Sequence, residues 1–303
     1  MTIRKKLNIA LIGCVWSTET AYDSISKIRN SNINLKLLIT KKKSKFNSDF
    51  VNLSKKAKKD NIPVFYKEDI TSPQDELELL KKFDIDLIFV IGWSFLIKEP
   101  VLSEYKKRIV GFHPTNLPKN RGRHPIIWSL ALGLKETAST FFLITEKADE
   151  GDILEQKKIK IGINDNAQSL YKKILAVMPS QIMKISTNFY KDRLRTFLNE
   201  NKNSNSWRKR EKIDGKIDWR MSSENIYNLI RALSNPYHGA FFIFKGKEIK
   251  VWKSKIILNK EKNIEPGKIL KNNKKNLIVK TGDNAILISK SEILEVLEGD
   301  YCL

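Results

Sequence analysis

Four short apolar runs set the limits on what this chain can fold into. LNIALIGCV (7–15), INLKLLIT (33–40), IPVFY (62–66) and IDLIFVIGW (85–93) have the length and β-branched content of strands rather than helices. The last is almost wholly apolar, as a parallel strand covered on both faces must be. Between the runs the spacing turns helical. TETAYDSISKIRNS (18–31) sets Ala21, Ile25 and Ile28 on one face, and SDFVNLSKKAKKDN (48–61) opens behind Asn47 or Ser48. SPQDELELLKKFD (72–84) has Ser72 as its cap and Pro73 at its first position, with acidic residues in its first turns. RIVGFH (108–113) and, after a helix near 125–133, ASTFFLI (138–144) extend the series. Strand–helix–strand units joined this way predict right-handed crossovers and an α/β, doubly wound, mostly parallel sheet. Ligands of such sheets sit beyond the carboxyl ends of the strands. The residues after FVI, after VGF and after FFLI are expected at that edge.

The second half changes character. AQSLYKKILAVMPSQIMKISTNFY (167–190) reads as one long amphipathic helix, and the sequence then becomes polar and irregular through 193–219. After a helix in SENIYNLIRALSNPYHG (223–239), the run AFFIFKGKEIKVWKSKII predicts a hairpin around Gly246. GKILKNNKKNLIVKTGDNAILISKSEI (267–293) supplies further short strands broken by turn residues. The expected organisation is a catalytic domain over 1–200, a linker over 201–222, and a small β-rich, barrel-like domain over 223–303, consistent with 303 residues. The N-terminal apolar run contains Asn8 and is followed by no small-residue cleavage site, so it reads as a first strand rather than a leader. No stretch reaches the ~20 apolar residues that cross a bilayer. Two cysteines without a CxxC pair argue against a disulfide framework or a zinc site and for a reducing compartment. The expected location is the cytoplasm, with no membrane partner. LIGCVWS offers one glycine where a dinucleotide fingerprint needs three. The net charge of +22 fits an acidic partner such as nucleic acid or phosphate, and equally a lysine-rich composition spread along the whole chain.

The chemistry concentrates in GFHPTNLPKNRGRHPIIWSLALG (111–133), which holds two of the three histidines. His113 ends a strand and is restrained by Pro114, a placement suited to polarising a carbonyl or moving a proton. It could equally be a structural histidine bonded to backbone. His124 precedes a helix and reads more simply as a surface residue. Arg121 and Arg123 in RGR could clamp a phosphate or carboxylate, or sit in a solvated loop. Downstream, EKADEGDILEQ (146–156) crowds Asp149, Glu150 and Asp152 around Gly151. Such a cluster suits a base working near neutral pH, a magnesium site, or a plain surface turn. Its convergence with His113 on one sheet edge points to a site.

HPTNLPKNRGRHPIIWSLALG followed by TFFLITEKADEGDIL resembles the signature of the formyltransferases that use 10-formyltetrahydrofolate, among them methionyl-tRNA formyltransferases and nucleotide-sugar N-formyltransferases. FDIDLIFVIGWSFLIKEPVL is similar to that family's strand and loop over the pterin, and IRALSNPYHGAFFIFKGKEIKVWKSKII to the start of its C-terminal β domain. The resemblance implies His113 as catalytic histidine and Asp149 as catalytic aspartate. The family asparagine two residues before the histidine falls on Gly111. Asn116, Thr115 or backbone N–H groups are then the candidates to hold the formyl oxygen. Also implied are Gly92, Trp93, Ser94, Phe95 and Leu96, with Ile144, Glu146, Lys147 and Ala148, as the groups bracketing the folate. Thr115, Arg121 and Arg123 are expected to face the acceptor substrate. The cosubstrate implied is 10-formyltetrahydrofolate, with no metal.

Three functional readings stay open at this level, two of them with different acceptors. RGRHPIIW and KREKIDGKIDW (209–219) are closer to sugar-modifying members, which implies a nucleotide-linked 4-amino-4,6-dideoxy sugar, a place in surface polysaccharide biosynthesis and, by analogy, a homodimer. Initiator methionyl-tRNA is the second, motivated by the net charge and the KKKSK run at 41–45. A non-catalytic nucleic-acid-binding protein on the same fold is the third, motivated by the glycine at 111.

Overall fold

The computed structural model describes residues 6–28, 32–45, 47–273, 275–289 and 298–302. The last three positions of the helix expected over 18–31, and the end of the strand-rich stretch beyond Ser289, lie outside the described residues. In chain order the elements are β1 (Leu7–Ile12), α1 (Trp16–Ser26), β2 (Ile33–Thr40), α2 (Ser54–Lys59), β3 (Val64–Tyr66), α3 (Pro73–Lys82), β4 (Leu87–Val90), α4 (Val101–Glu104), β5 (Ile109–His113), β6 (Arg121–Gly122), α5 (Pro125–Ala131), β7 (Glu136–Leu143), β8 (Ile153–Lys160), α6 (Ala167–Tyr190), β9 (Ser206–Trp207) and α7 (Ser223–Ala232). Six short strands follow, β10 (Ala240–Phe244), β11 (Lys247–Val251), β12 (Ser254–Ile257), β13 (Ile269–Asn272), β14 (Asn276–Lys280) and β15 (Ala285–Ser289).

The chain divides into two compact units. The first comprises 1–122, 137–159 and 172–207, the second 123–136, 160–171 and 208–303. The division is interleaved rather than made at one linker: residues 201–207 group with the first unit and 208–222 with the second.

The first unit is built on a seven-stranded sheet of order β3-β2-β1-β4-β5-β7-β8. The first five strands are mutually parallel. Alternate residues of β1 show why both faces are covered. Ile9 and Leu11 join Tyr22 and Ile25 of α1 and Met178, Ile182 and Ile185 of α6 in one cluster. Ala10 and Ile12 join Leu77 and Leu80 of α3 and Val101 of α4 in another. The expected doubly wound α/β sheet is therefore present. α3 starts as its sequence predicts, with Ser72 Oγ accepting from Asp75 N and Asp75 Oδ2 accepting from Ser72 N, a reciprocal capping box.

One expectation about the edge is corrected. β7 runs antiparallel to β5, with His113 opposite Thr140 and Val110 opposite Leu143. The residues that follow FFLI therefore leave at the amino end of β5, and Ile144 N–H donates to the carbonyl of Ile109. Any return of this loop to His113 needs the chain to double back.

The second unit carries α5, α7 and, among the described residues, antiparallel sheets of two strands (β10-β11) and four strands (β12-β15-β14-β13). Lys245 and Gly246, both at positive φ, form the two-residue hairpin turn between β10 and β11, where the sequence predicts it. Trp219 packs edge-on to Phe242 at 5.5 Å. The buried guanidinium of Arg231 on α7 donates to the Asp165 and Gly162 carbonyls and to Asn228 Oδ1, which satisfies a charge that burial would otherwise make costly. No helix among the described residues is long and apolar enough to cross a membrane.

Both cysteines are buried and free. Burial pushes the thiol of Cys14 up to about 11 and that of Cys302 up to about 12. A raised thiol pKa favours the native state fully below the unfolded value, and that contribution is lost as pH climbs through the native one. At mildly alkaline pH both thiols should stay silent to a disulfide reagent until the chain is unfolded, as a timed thiol titration would show. Truncating fully buried Leu80 to Ala should cost ~2–5 kcal/mol of stability in urea titrations followed by tryptophan fluorescence.

Candidate active site

The site grows from the end of β5. His113 is 5% exposed and is followed by a turn over 114–119 that the neighbouring strands hold by side-chain bonds. Thr137 Oγ1 donates to the Pro114 carbonyl at 2.8 Å and Thr140 Oγ1 to the Thr115 carbonyl at 2.6 Å. Gln156 Nε2 donates to the Leu117 carbonyl at 2.9 Å. These threonines come from β7 and the glutamine from β8, so the antiparallel strand secures the turn that the parallel strand leads into.

His113 Nε2 lies 2.9 Å from the carbonyl oxygen of Asn120. A carbonyl only accepts, so Nε2 carries the proton and the neutral ring keeps its lone pair on Nδ1. Nδ1 in turn lies 3.7 Å from Asp149 Oδ1, too far for a hydrogen bond and close enough for an ion pair when the ring is protonated. The imidazole and carboxylate that the sequence singles out are thus brought together, both largely shielded from solvent.

Asp149 reaches this place because the loop after β7 folds back. Its backbone is left-handed (φ 59°), a conformation that aspartate tolerates better than most residues. Its Oδ2 accepts from the Gly122 N–H at 2.9 Å. Two residues on, a Cβ built on Gly151 would lie 1.7 Å from the Leu143 carbonyl oxygen, so only glycine lets the loop turn this tightly. The acidic cluster disperses: Asp149 takes Gly122, Glu150 sits 3.6 Å from Arg121, and the Asp152 carbonyl accepts from Leu143. No group of three or more His, Cys, Asp or Glu able to hold a metal occurs among the described residues.

Several expected substrate groups have other occupations. Thr115 is fully buried and its hydroxyl donates to the Lys119 carbonyl, so it staples the turn rather than facing a ligand. Arg121 is 6% exposed, and its guanidinium donates to Asn201 Oδ1 and to the Oδ1 and carbonyl of Asn199. Its Nη groups are thus engaged within the protein, while its Nε is buried without a partner among the described residues. Asn116 is half-buried and its carbonyl closes the turn with Lys119. Arg123 is exposed and belongs to the second unit, as does His124. His124 has a left-handed backbone, and its pKa is lowered first by burial and then by Arg123, Arg210 and Lys209.

Gly111 has a packing reason. A Cβ there would meet the Phe142 ring at 2.7 Å and Ile144 at 3.0 Å, so the place of a side chain is filled from β7. The folate-bracketing candidates are open. Trp93 and Ile144 pack on the same core cluster, while Ser94, Phe95 and Leu96 are exposed. The Trp93 and Phe95 rings stand 5.3 Å apart, and the Lys41 ammonium lies over the Phe95 ring at 5.4 Å. Glu146, Lys147 and Ala148 are exposed, and Gly92 turns the chain at φ 66°. A cavity of about 580 Å³ along β8 and α6, lined by residues such as Gln156, Lys184, Asn188 and Phe197, includes none of the expected site residues.

Residues 7–185 match the family described as formyl transferase, and 209–295 match the formyl transferase C-terminal domain. The chain is 36% identical over 253 residues to the bifunctional polymyxin resistance protein ArnA of Wigglesworthia glossinidia brevipalpis, covering 83% of this chain and only 36% of ArnA, about a third of its length. It is 29% identical over 237 residues to the methionyl-tRNA formyltransferase of Sulfurihydrogenibium sp. (strain YO3AOP1), covering 78% of this chain and 76% of that one. Among solved structures it is similar to WlaRD, a sugar 3N-formyl transferase determined in the presence of dTDP and 5-N-formyl-THF, with a TM-score of 0.71 at 21% identity, covering 96% of this chain and 99% of that one.

Restoring a side chain at position 111 tests the packing account. Gly111→Asn should lower stability by ~1–3 kcal/mol through overpacking against Phe142, seen as an earlier urea midpoint. A variant as stable as the parent would show that the strand has room after all.

Proposed function

Because the chain belongs to the formyl transferase family, we propose that it transfers the formyl group of 10-formyltetrahydrofolate to the amine of a nucleotide-linked amino sugar, a 4-amino-4,6-dideoxy hexose in the first instance. The observation that carries this reading is the shielded gap of 3.7 Å between His113 Nδ1 and Asp149 Oδ1.

Two acceptors converge on that gap when the ring is neutral. An attacking amine must lose a proton as its nitrogen bonds to the formyl carbon, and a lone pair beside a carboxylate is suited to receive it. Nε2–H stays on the Asn120 carbonyl throughout, which fixes the ring's orientation and tautomer. Once Nδ1 takes the proton, Asp149 stabilises the imidazolium beside it and the new N–H serves the developing oxyanion; as the formyl carbon–N10 bond then breaks, that proton passes to N10 and tetrahydrofolate leaves. His113 therefore acts as acceptor first and donor second, which combines the two roles the sequence suggests, moving a proton and polarising a carbonyl. The role of Asn116 as a further donor to the formyl oxygen belongs to the same proposal.

The exposed Phe95 ring and Leu96, beside a half-buried Trp93 and above a core that also seats Ile144, fit a flat heteroaromatic group. Gly92–Leu96 and Ile144, Glu146, Lys147 and Ala148 would hold the folate, which supplies the formyl carbon.

The sugar reading is supported by the extent of likeness to WlaRD, which spans nearly the whole of both chains. It is supported too by the occupations of the basic run: Lys41 lies over Phe95, and Lys42 pairs with Asp69 at 2.6 Å, so part of that charge is already engaged. Methionyl-tRNA is the second reading, favoured by the relative from Sulfurihydrogenibium.

Tetrahydrofolate release, followed with 10-formyltetrahydrofolate and a panel of UDP-, dTDP- and GDP-linked 3-amino and 4-amino sugars beside charged initiator tRNA, decides between them. Turnover with tRNA alone would overturn the sugar assignment. His113→Ala and Asp149→Asn should each lower kcat at least ~100-fold, the scale of one preorganised polar group at a reacting centre.

A further inference from the structure

The segment after α6 is rich in asparagine, LNENKNSNSW (198–207), and its sequence predicts nothing but an irregular connection. In the structure it touches both halves of the site. Asn199 is 5% exposed. Its Nδ2 donates to the carbonyls of Asp149 and Gly151, each at 2.9 Å, and its Oδ1 accepts from Arg121 Nη2 at 3.1 Å. Arg121 is held in turn by Asn201 Oδ1 at 2.7 Å and lies 3.6 Å from Glu150. Asn205 Oδ1 accepts the N–H of Asn120 at 2.8 Å, and the Asn205 carbonyl accepts the N–H of Arg121 at 3.0 Å. β6 then pairs with β9, Arg121 with Ser206 and Gly122 with Trp207. Asn120 supplies the carbonyl that fixes His113, and Gly122 supplies the N–H that fixes Asp149.

We propose that residues 199–207 are a positioning strap for the His113–Asp149 pair, with Asn199 as its central residue and Arg121 as the group that fixes the amide of Asn199. The inference rests on the reading of Asp149 as a proton-handling group. Its chemical logic lies in the amide. The loop carrying Asp149 is exposed over Thr145–Ala148, and its left-handed turn is not held by regular pairing. Two carbonyls in that turn need donors, and the guanidinium behind them needs an acceptor. An asparagine supplies both from one side chain, and a carboxylate of the same size supplies only the second. Because one strap ties the Asn120–Gly122 stretch and the Asp149 loop to the same backbone, the gap between imidazole and carboxylate is set by the strap rather than by either loop.

The test uses the full chain, 10-formyltetrahydrofolate and the amino-sugar nucleotide that the parent turns over. Asn199→Asp keeps the acceptor for Arg121 and removes both donors. Its kcat should fall up to ~100-fold, as a displacement of about 1 Å at a reacting group can produce, with KM for the folate within about twofold of the parent. In the Asp149→Asn background the same substitution should cause no further loss, because the strap acts through that carboxylate. Asn201→Ala, at an exposed position, should give a smaller loss in the same parameter and keeps the question answerable if Asn199→Asp fails to fold. A full loss persisting in the Asp149→Asn background, or a kcat unchanged in both strap variants while Asp149→Asn is crippled, would overturn the strap alone. An Asp149→Asn variant that keeps its rate would instead bring down the reading of the site on which the strap depends.

Discussion

The hydrogen bond from His113 Nε2 to the Asn120 carbonyl decides what the site can do. An imidazole has two nitrogens and, when neutral, one proton. Committing that proton to a backbone acceptor leaves a lone pair at Nδ1, and Nδ1 is the nitrogen that faces Asp149. Had the turn after Pro114 offered an N–H at that place, the ring would show a donor to the carboxylate and no acceptor would face the cleft. The bonds that hold the turn, from Thr137, Thr140 and Gln156, therefore bear on the chemistry although none of these residues faces the gap.

Burial makes this arrangement specific. A shielded polar group without a partner costs free energy, and most buried polar atoms here are held by a particular neighbour, Arg121 Nε being an exception. Arg121 and Asn199 answer one another's needs, and together they answer those of the Asp149 loop. Gly111 shows the same constraint in apolar form. With Phe142 and Ile144 filling the space beside it, a side chain there would have to displace them. On the proposed reading, His113 and Asp149 then carry the proton handling, with Asn116 as the further donor to the formyl oxygen.

Much of the fold is legible in the residues. Alternating apolar residues of β1 serve two core clusters, and the period of α1 and α3 aims Ile25 and Leu80 at them. The approach of His113 to Asp149 is foreshadowed too, because a histidine at a strand end and an acidic turn after the next strand are local signals. Thr115 and Arg121 show partners within the protein that their residue type does not reveal, since residue type states what a side chain can bond and not which group it meets. Asn199, Asn201 and Asn205 are missed altogether. Polar residues without periodicity read as a connection, and their partners lie about fifty to eighty-five positions away.

By itself, then, the amino-acid order determined the alternation of strand and helix, the parallel core of the sheet, the hairpin at Gly246 and the identities of the imidazole and the carboxylate. These follow from local periodicity, from backbone preference and from the apolar content of short runs. Tertiary structure alone decided the reversed direction of β7, the tautomer of His113, the crowding beside position 111 and the tie between 199–207 and the loops that carry His113 and Asp149. Each of those depends on which backbone group or ring comes to lie beside another across a long stretch of chain. Packing settles that only when the whole unit closes.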